Sequence, residues 1–239
     1  MTKGNINVSV ENIFPLIKKF LYSDHEIFLR ELISNATDAT MKLKHLTNIG
    51  EAKVEYGNPK IEVKIDKKGK KLHIIDQGIG MTADEVEKYI NQVTFSGAEE
   101  FLDKYKDSAK DAGIIGHFGL GFYSAFMVAE KVDVISLKAG KKEAWMWSSD
   151  GETGFEITKG VKKENGTSIK LYLNEEGKEY ASRWKLEGLV KKYSDHIDAP
   201  IMLTYEDTEY DDKGKEKSKQ VCVQNRNIID LFFRVYKYN

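Results

Sequence analysis

Apolar residues recur with helical spacing along several stretches of the chain. Pro15 falls in the first turn of the first such stretch, where proline is tolerated, and Asp24 is placed to cap the next helix. Thr82 followed by Glu85 is a capping-box sequence, which indicates the start of another helix. The predicted helices cover residues 11–22, 24–46, 83–91, 120–128 and 180–196.

Alternation of apolar and polar residues, which is typical of strands with one covered face, marks other stretches. The predicted strands cover residues 60–66, 72–75, 132–137, 144–148, 155–158 and 167–173. A turn at Gly69 joins the first two strands as a hairpin. Helices followed by a run of antiparallel strands indicate an α+β fold, with the helices on one face of the sheet.

The last part of the chain differs in composition from the rest. After Leu203, residues 206–220 carry Asp, Glu, Lys and Gly with almost no apolar residue, which predicts a charged linker after a domain over residues 1–205. Residues 221–239 are dense in aromatic side chains and form an atypical tail.

Charge and cysteine content narrow the classes of partner. The net charge of -1 gives no support for binding to nucleic acid or to an anionic membrane. Cys222 is the one cysteine, so no internal disulfide can form, and a reducing compartment fits. Residues 1–10 lack a signal-peptide pattern, and no stretch is apolar enough to span a bilayer. We therefore expect a cytoplasmic location.

Three polar residues share one stripe of the helix over 24–46. Glu31, Asn35 and Asp38 follow an i, i+4, i+7 spacing, beside small alanines that leave room for a ligand. An ordinary solvated stripe is the alternative interpretation. Asn and Asp are poor choices in the middle of a helix, which favours a functional role.

A second candidate is the loop that follows the strand over 72–75. Asp76 ends that strand, and Gly78 and Gly80 let the backbone turn and approach a flat ligand closely. A carboxylate in this position can accept a hydrogen bond from an exocyclic amine such as adenine N6. A plain Asp-x-Gly turn is the alternative.

Two further motifs are weak when taken singly. The glycine-rich stretch over 113–122 runs into a helix start, where backbone N–H groups can cradle an anion, although no Gly-Lys-Ser/Thr of a P-loop follows. Thr167 follows Asn165-Gly166 at the start of a strand and could bond a base directly or through water. A hairpin turn is the alternative interpretation for that stretch.

The order and spacing of these four motifs resemble the GHKL ATPase superfamily, which includes heat-shock chaperones, DNA gyrase B, MutL and sensor histidine kinases. Within that superfamily, residues 31–39, 76–81 and 119–124 are similar to the ninety-kilodalton heat-shock protein chaperone family of the bacterial HtpG type. The resemblance covers about residues 8–205. It implies a two-layer α/β sandwich of the Bergerat type, with a mixed, mostly antiparallel sheet.

The resemblance also implies a site for ATP or ADP with Mg²⁺. Glu31 would act as the base that orients and deprotonates water, Asn35 would bind the Mg²⁺, and residues 96–121 would form a lid. It assigns nucleotide binding to Asn35, Asp38, Ala39, Asp76, Gly80, Met81, Asn91, Gly119, Leu120, Gly121, Phe122 and Thr167.

In that family, partners are unfolded or partly folded client proteins, and the full-length protein is a homodimer. Because dimerisation in the family rests largely on a C-terminal part, we expect this chain to be a monomer. We also expect it to hydrolyse ATP slowly, because the family's arginine finger belongs to a following middle segment. Two alternatives stay open: a GHKL ATPase of another class, such as a histidine kinase or a DNA-processing enzyme, and a nucleotide-binding module without hydrolysis. Glu31 argues against the second, because binding alone needs no base there.

Overall fold

The fold is seen in a computed structural model that describes residues 25–91, 104, 121–194, 197, 199–210 and 216–223. The predicted helix over 11–22, the Asp24 cap and the tail beyond residue 223 lie outside the described residues. So does nearly all of the predicted lid, including Gly119 and Leu120.

Three α-helices, two 3₁₀ helices and eight strands make up the described part of the chain. The helices are α1 (Ile27–Asn48), α2 (Ala83–Asn91) and α3 (Arg183–Ser194), with 3₁₀ helices over Gly121–Met127 and Glu176–Tyr180. The strands are β1 (Ile61–Asp66), β2 (Lys71–Ile75), β3 (Ala129–Leu137), β4 (Ala144–Ser149), β5 (Phe155–Gly160), β6 (Gly166–Leu173), β7 (Ile201–Tyr210) and β8 (Glu216–Cys222).

The strands form one mixed sheet in the order β5-β4-β3-β6-β2-β1-β7-β8. The β1–β7 pairing is parallel, and the other pairings in this sheet are antiparallel. β1 and β2 form the predicted hairpin, and β2 also pairs with β6, so that Ile75 lies opposite Ser168. This pairing places the end of β2 beside the start of β6.

The core lies between the sheet and α1. Alternate residues of β1, β2 and β6 are buried, as expected for strands with one covered face. Phe28 and Leu32 of α1 are fully buried, and the Phe28 ring meets Tyr180 edge-on with centroids 4.9 Å apart. Burying each such side chain stabilises the fold by roughly 1.5–3 kcal/mol. The predicted fold class is confirmed.

The capping box of α2 forms as predicted. The Thr82 N–H donates to Glu85 Oε2 at 2.8 Å, and the Glu85 N–H donates to Thr82 Oγ1 at 3.3 Å. These reciprocal bonds satisfy two donors at the start of the helix. The prediction of a short buried helix near 120–128 is also confirmed in position, although this helix has 3₁₀ geometry.

The prediction of a charged linker over 206–220 was wrong in its structure. Residues 206–210 belong to β7 and 216–220 to β8, and these strands pair at the edge of the sheet. Val223, assigned to the atypical tail, is buried, and its N–H donates to the Ile201 carbonyl at 3.1 Å. An edge hairpin needs few apolar residues beyond those that touch the core, which is why its composition misled the prediction.

Smaller corrections concern the ends of helices. α1 begins at Ile27 and continues to Asn48, and α3 begins at Arg183, because Tyr180 belongs to the preceding 3₁₀ helix. None of the helices in the described ranges is both long and apolar enough to cross a membrane.

Candidate functional site

Asp76 lies at the end of β2 with its carboxylate held by backbone. Its Oδ1 accepts the Gly78 N–H at 2.8 Å and the Thr167 N–H at 3.1 Å, and its own N–H donates to the Thr167 carbonyl at 2.9 Å. Within the described part of the chain, Oδ2 makes no hydrogen bond. One carboxylate oxygen is therefore fixed and the other can accept a bond from a ligand.

Burial dominates the electrostatics of this carboxylate. Asp76 is only 5% exposed, and burial raises its pKa to about 6, although the N–H groups of Gly78 and Thr167 oppose the shift. A carboxyl group with such a pKa is ionised at neutral pH at a cost in folding free energy. This is the kind of perturbation that marks functional sites.

A buried hydroxyl pair adjoins Asp76. Ser136 on β3 and Thr167 on β6 lie opposite each other in register, with their hydroxyl oxygens 3.0 Å apart. The Met81 N–H donates to Ser136 Oγ at 2.8 Å. These bonds connect the Asp76 loop, β3 and β6. Ser136 was missed in the sequence, where its signal was a polar residue at a buried-face position of an apolar strand.

The glycines of the Asp76 loop allow close packing of protein backbone. A Cβ on Gly78 would lie 2.5 Å from the Ala39 carbonyl carbon, and one on Gly80 would lie 2.0 Å from the Leu137 carbonyl oxygen. Gly80 also has φ +62°, which disfavours any other residue. The predicted reason for these glycines, close approach to a flat ligand, therefore needs correction: the neighbours that require them are α1 and β3.

The Asn165-Gly166 turn is tied to the same loop. Asn165 Nδ2 donates to the carbonyls of Gln77 at 3.1 Å and Gly78 at 2.8 Å. Gly166 has φ +105°, and a Cβ there would lie 2.3 Å from the Asp76 carbonyl oxygen. The turn thus fixes Thr167 beside Asp76.

Glu31 lies at the opposite end of the polar stripe on α1, next to the first 3₁₀ helix. A Cβ on Gly121 would lie 2.4 Å from Glu31 Oε2, so the carboxylate rests against the start of that helix. The Arg30 guanidinium donates to Glu31 Oε1 at 2.6 and 3.1 Å. The Glu31 side chain is 26% exposed, which leaves it open to water.

The remaining residues of the stripe connect Glu31 to the Asp76 loop. Asn35 is exposed, whereas Asp38 is buried. The Ala39 carbonyl accepts the Ile79 N–H at 3.0 Å. Ala39 lies eight positions after Glu31 in the helix, which corresponds to about 12 Å along the axis. Asn35 lies midway along this span.

The 3₁₀ helix after Gly121 is anchored in the core. Phe122 is buried, and its ring meets the Trp147 ring at 5.5 Å between centroids. The Tyr123 hydroxyl donates to the Ile90 carbonyl, and burial raises the pKa of Tyr123 to about 12. This bond ties the 3₁₀ helix to the end of α2. Asn91 is the last residue of α2, and its side chain lies outside the described residues.

The structure thus brings most of the predicted residues into one continuous region. Asp76, Gly80, Met81 and Thr167 lie at one end and Glu31, Gly121 and Phe122 at the other, with Asn35, Asp38 and Ala39 between them. Groups of three or more His, Cys, Asp or Glu side chains that could hold a metal ion are absent from the described ranges.

Comparisons with known proteins identify the family of the chain. Residues 22–192 match the family model described as histidine kinase-, DNA gyrase B-, and HSP90-like ATPase. The chaperone protein HtpG of Porphyromonas gingivalis is 52% identical over 203 residues, covering 84% of this chain and 29% of that protein. The same-named protein of Bacteroides thetaiotaomicron is 49% identical over 235 residues, covering 96% of this chain and 32% of that protein.

A third relative, the chaperone protein HtpG of Borreliella burgdorferi, is 49% identical over 205 residues, covering 85% of this chain and 33% of that protein. The chain therefore spans about a third of the length of these relatives.

Proposed function

The chain belongs to the histidine kinase-, DNA gyrase B- and HSP90-like ATPase family, and we propose on that premise that it binds ATP and hydrolyses it slowly. We further propose that it is the N-terminal nucleotide-binding domain of a molecular chaperone of the HtpG type, which its relatives' names support. The cytoplasm is the proposed compartment.

The observation that carries the proposal is the state of the Asp76 carboxylate. Backbone N–H groups hold Oδ1, and no described residue bonds to Oδ2, which is available to accept the adenine N6 amine. Thr167 donates its backbone N–H to Asp76 Oδ1, so its side-chain hydroxyl is held beside this carboxylate. An acceptor beside a hydroxyl matches the edge of adenine, which offers an amine beside a ring nitrogen.

The other end of the site supports a role in phosphate binding and hydrolysis. The N–H groups at the start of the Gly121–Met127 helix would bind phosphate oxygens, and Gly119 and Leu120, which precede them in the chain, would contribute more. Glu31 rests against this start and would accept a proton from the attacking water. Closure of the segment 96–121 as a lid over the nucleotide is part of the proposal.

We propose that a magnesium ion binds at this site with few ligands from the protein. Asn35 is exposed midway between Glu31 and Ala39, and its amide oxygen would supply one ligand. A single protein ligand fits Mg²⁺, because Mg²⁺ in nucleotide sites is bound largely by phosphates and water. It would not suffice for a metal ion that is held by protein side chains alone. When bound, the ion would neutralise charge on the transferred phosphoryl group.

We also propose clients and an assembly for the chaperone of which this domain would be a part. Its clients would be unfolded or partly folded proteins, and dimerisation would rest on segments beyond this domain, so that the chain alone would be a monomer. The arginine finger would likewise come from a following segment, which limits the rate of hydrolysis by this chain.

The experiment that tests the proposal separates binding from hydrolysis. ADP binding by calorimetry and ATP turnover are measured for the wild type, for Glu31→Gln and for the control Glu156→Gln, which alters an exposed glutamate on β5. We expect all three proteins to bind ADP, while Glu31→Gln loses about 100-fold or more in turnover.

Equal turnover by the wild type and Glu31→Gln would refute the role of Glu31. ADP binding without measurable turnover by the wild type would instead support a nucleotide-binding module. Absence of ADP binding by the wild type would refute the proposed function as a whole.

A further inference from the structure

Ser136 is hydrogen-bonded to two residues of the candidate adenine pocket, which comprises Asp76, Gly80, Met81 and Thr167. Its side chain is fully buried on β3, facing the helix-covered side of the sheet. Its hydroxyl is hydrogen-bonded to the Met81 N–H at 2.8 Å and to Thr167 Oγ1 at 3.0 Å, and the Gly166 carbonyl lies 3.4 Å away. Both Met81 and Thr167 belong to the proposed adenine pocket.

The Met81 N–H fixes the direction of the first of these hydrogen bonds. A backbone N–H can only donate, so Ser136 Oγ is the acceptor of the Met81 bond. The Ser136 proton then points to either Thr167 Oγ1 or the Gly166 carbonyl, and Thr167 is the nearer of the two. When Ser136 donates to Thr167, the Thr167 proton is free to point away from β3.

We propose that Ser136 is a positioning residue that makes the Thr167 hydroxyl a hydrogen-bond donor toward the bound base, and that it thereby selects adenine over 6-oxopurines. The inference rests on the proposed nucleotide-binding function. The chain of bonds runs from the Met81 N–H through Ser136 and Thr167 to the base, directly or through one water.

The selectivity follows from the two edges of the purines. Adenine offers an amine at position 6, which donates to Asp76, and an unprotonated N1, which accepts from Thr167. Hypoxanthine offers an oxygen at position 6 and a protonated N1, so both groups oppose an acceptor carboxylate and a donor hydroxyl. A Thr167 hydroxyl that can rotate freely would tolerate either N1, and its contribution to selectivity would be lost.

The test compares ADP with inosine 5′-diphosphate by calorimetry in the wild type, Ser136→Ala and Ser136→Thr. Ser148→Ala is the matched control, because it removes a hydroxyl that donates to Asp133 at 2.8 Å on the face of the sheet opposite Ser136. Ser136→Ala should weaken ADP binding by about two- to tenfold and reduce the ADP-to-inosine preference by a similar factor. Ser136→Thr and Ser148→Ala should keep the wild-type preference.

A purely structural role would weaken both nucleotides equally in Ser136→Ala, and that result would overturn the inference while leaving the proposed function intact. An unchanged preference in Ser136→Ala would overturn it in the same way. Should that variant not fold, Ser136→Cys keeps a similar volume with a much weaker donor and must show the same loss of preference. A wild type that binds no ADP would overturn the proposed function and the inference together.

Discussion

Replacing Asp76 by asparagine should stabilise the nucleotide-free domain relative to the wild type progressively as the pH rises. The folded-state pKa is about 6 against an ordinary value of 3.8, because burial disfavours the charged form. Between these values the folded protein binds more protons than the unfolded chain. Stability from this group is therefore full below pH 3.8 and is lost as the pH rises through about 6.

The magnitude follows from the size of the shift. About two pKa units correspond to roughly 3 kcal/mol of free energy of unfolding, since each unit is worth 1.36 kcal/mol. Of this loss, about half falls between pH 5 and pH 8. Asparagine does not titrate, so the stability of Asp76→Asn relative to the wild type should rise by about 1.5 kcal/mol over that interval. Any constant effect of the new amide group cancels in this difference.

Urea unfolding at pH 5 and pH 8, without nucleotide, provides the assay. Asp133→Asn is the matched control, because Asp133 is also buried but its environment has the opposite net effect. Burial raises the pKa of Asp133, but the hydroxyls of Tyr172 and Ser148, together with nearby lysines, outweigh burial and lower it. This carboxylate is ionised in both states above pH 5, so the control should show no change relative to the wild type over the interval.

Parallel pH dependences of the wild type and Asp76→Asn would show that burial does not raise the pKa of Asp76. A difference of the predicted sign that also appears in Asp133→Asn would point to a general effect of removing charge. Only a pH-dependent gain confined to the Asp76 variant supports a buried, titrating carboxylate at this position.

Two glycine substitutions test the packing of the site. Gly80→Ala should lower the free energy of unfolding in urea by about 2 to 6 kcal/mol, because its Cβ meets the Leu137 carbonyl. The control Gly140→Ala, with φ +76° and open space around it, should lower it by about 1 to 2 kcal/mol. Equal losses in the two variants would contradict the contact between Gly80 and Leu137. Gly121→Ala should displace the Glu31 carboxylate and lower ATP turnover on the order of 100-fold. Unchanged turnover would contradict the placement of Glu31.

Local signals in the sequence predicted the individual elements well. The Thr82 capping box and the alternating strands depend on residues a few positions apart, and the structure confirms them. β7 was missed although Ile201, Leu203 and Tyr205 alternate as buried residues. Its strand state depends on parallel pairing with β1, 140 positions earlier, as between Ile61 and Ile201, and no local pattern reports such a pairing.

The candidate site was predicted residue by residue, but its connections were not. Asp76 and Thr167 each stood out by local motif, and the register of β2 with β6 is what joins them. Ser136 lies in a strand without a motif, and only the register of β3 with β6 shows that it faces Thr167. Long-range register is therefore the physical information that the sequence lacked.

The most direct test of the central claim is calorimetric titration of the wild type and Asp76→Asn with ADP and Mg²⁺. The wild type should bind ADP, and asparagine, which places an amide donor against the adenine amine, should weaken binding at least about tenfold. Equal affinity of the two proteins, or no binding by the wild type, would contradict an adenine site at Asp76.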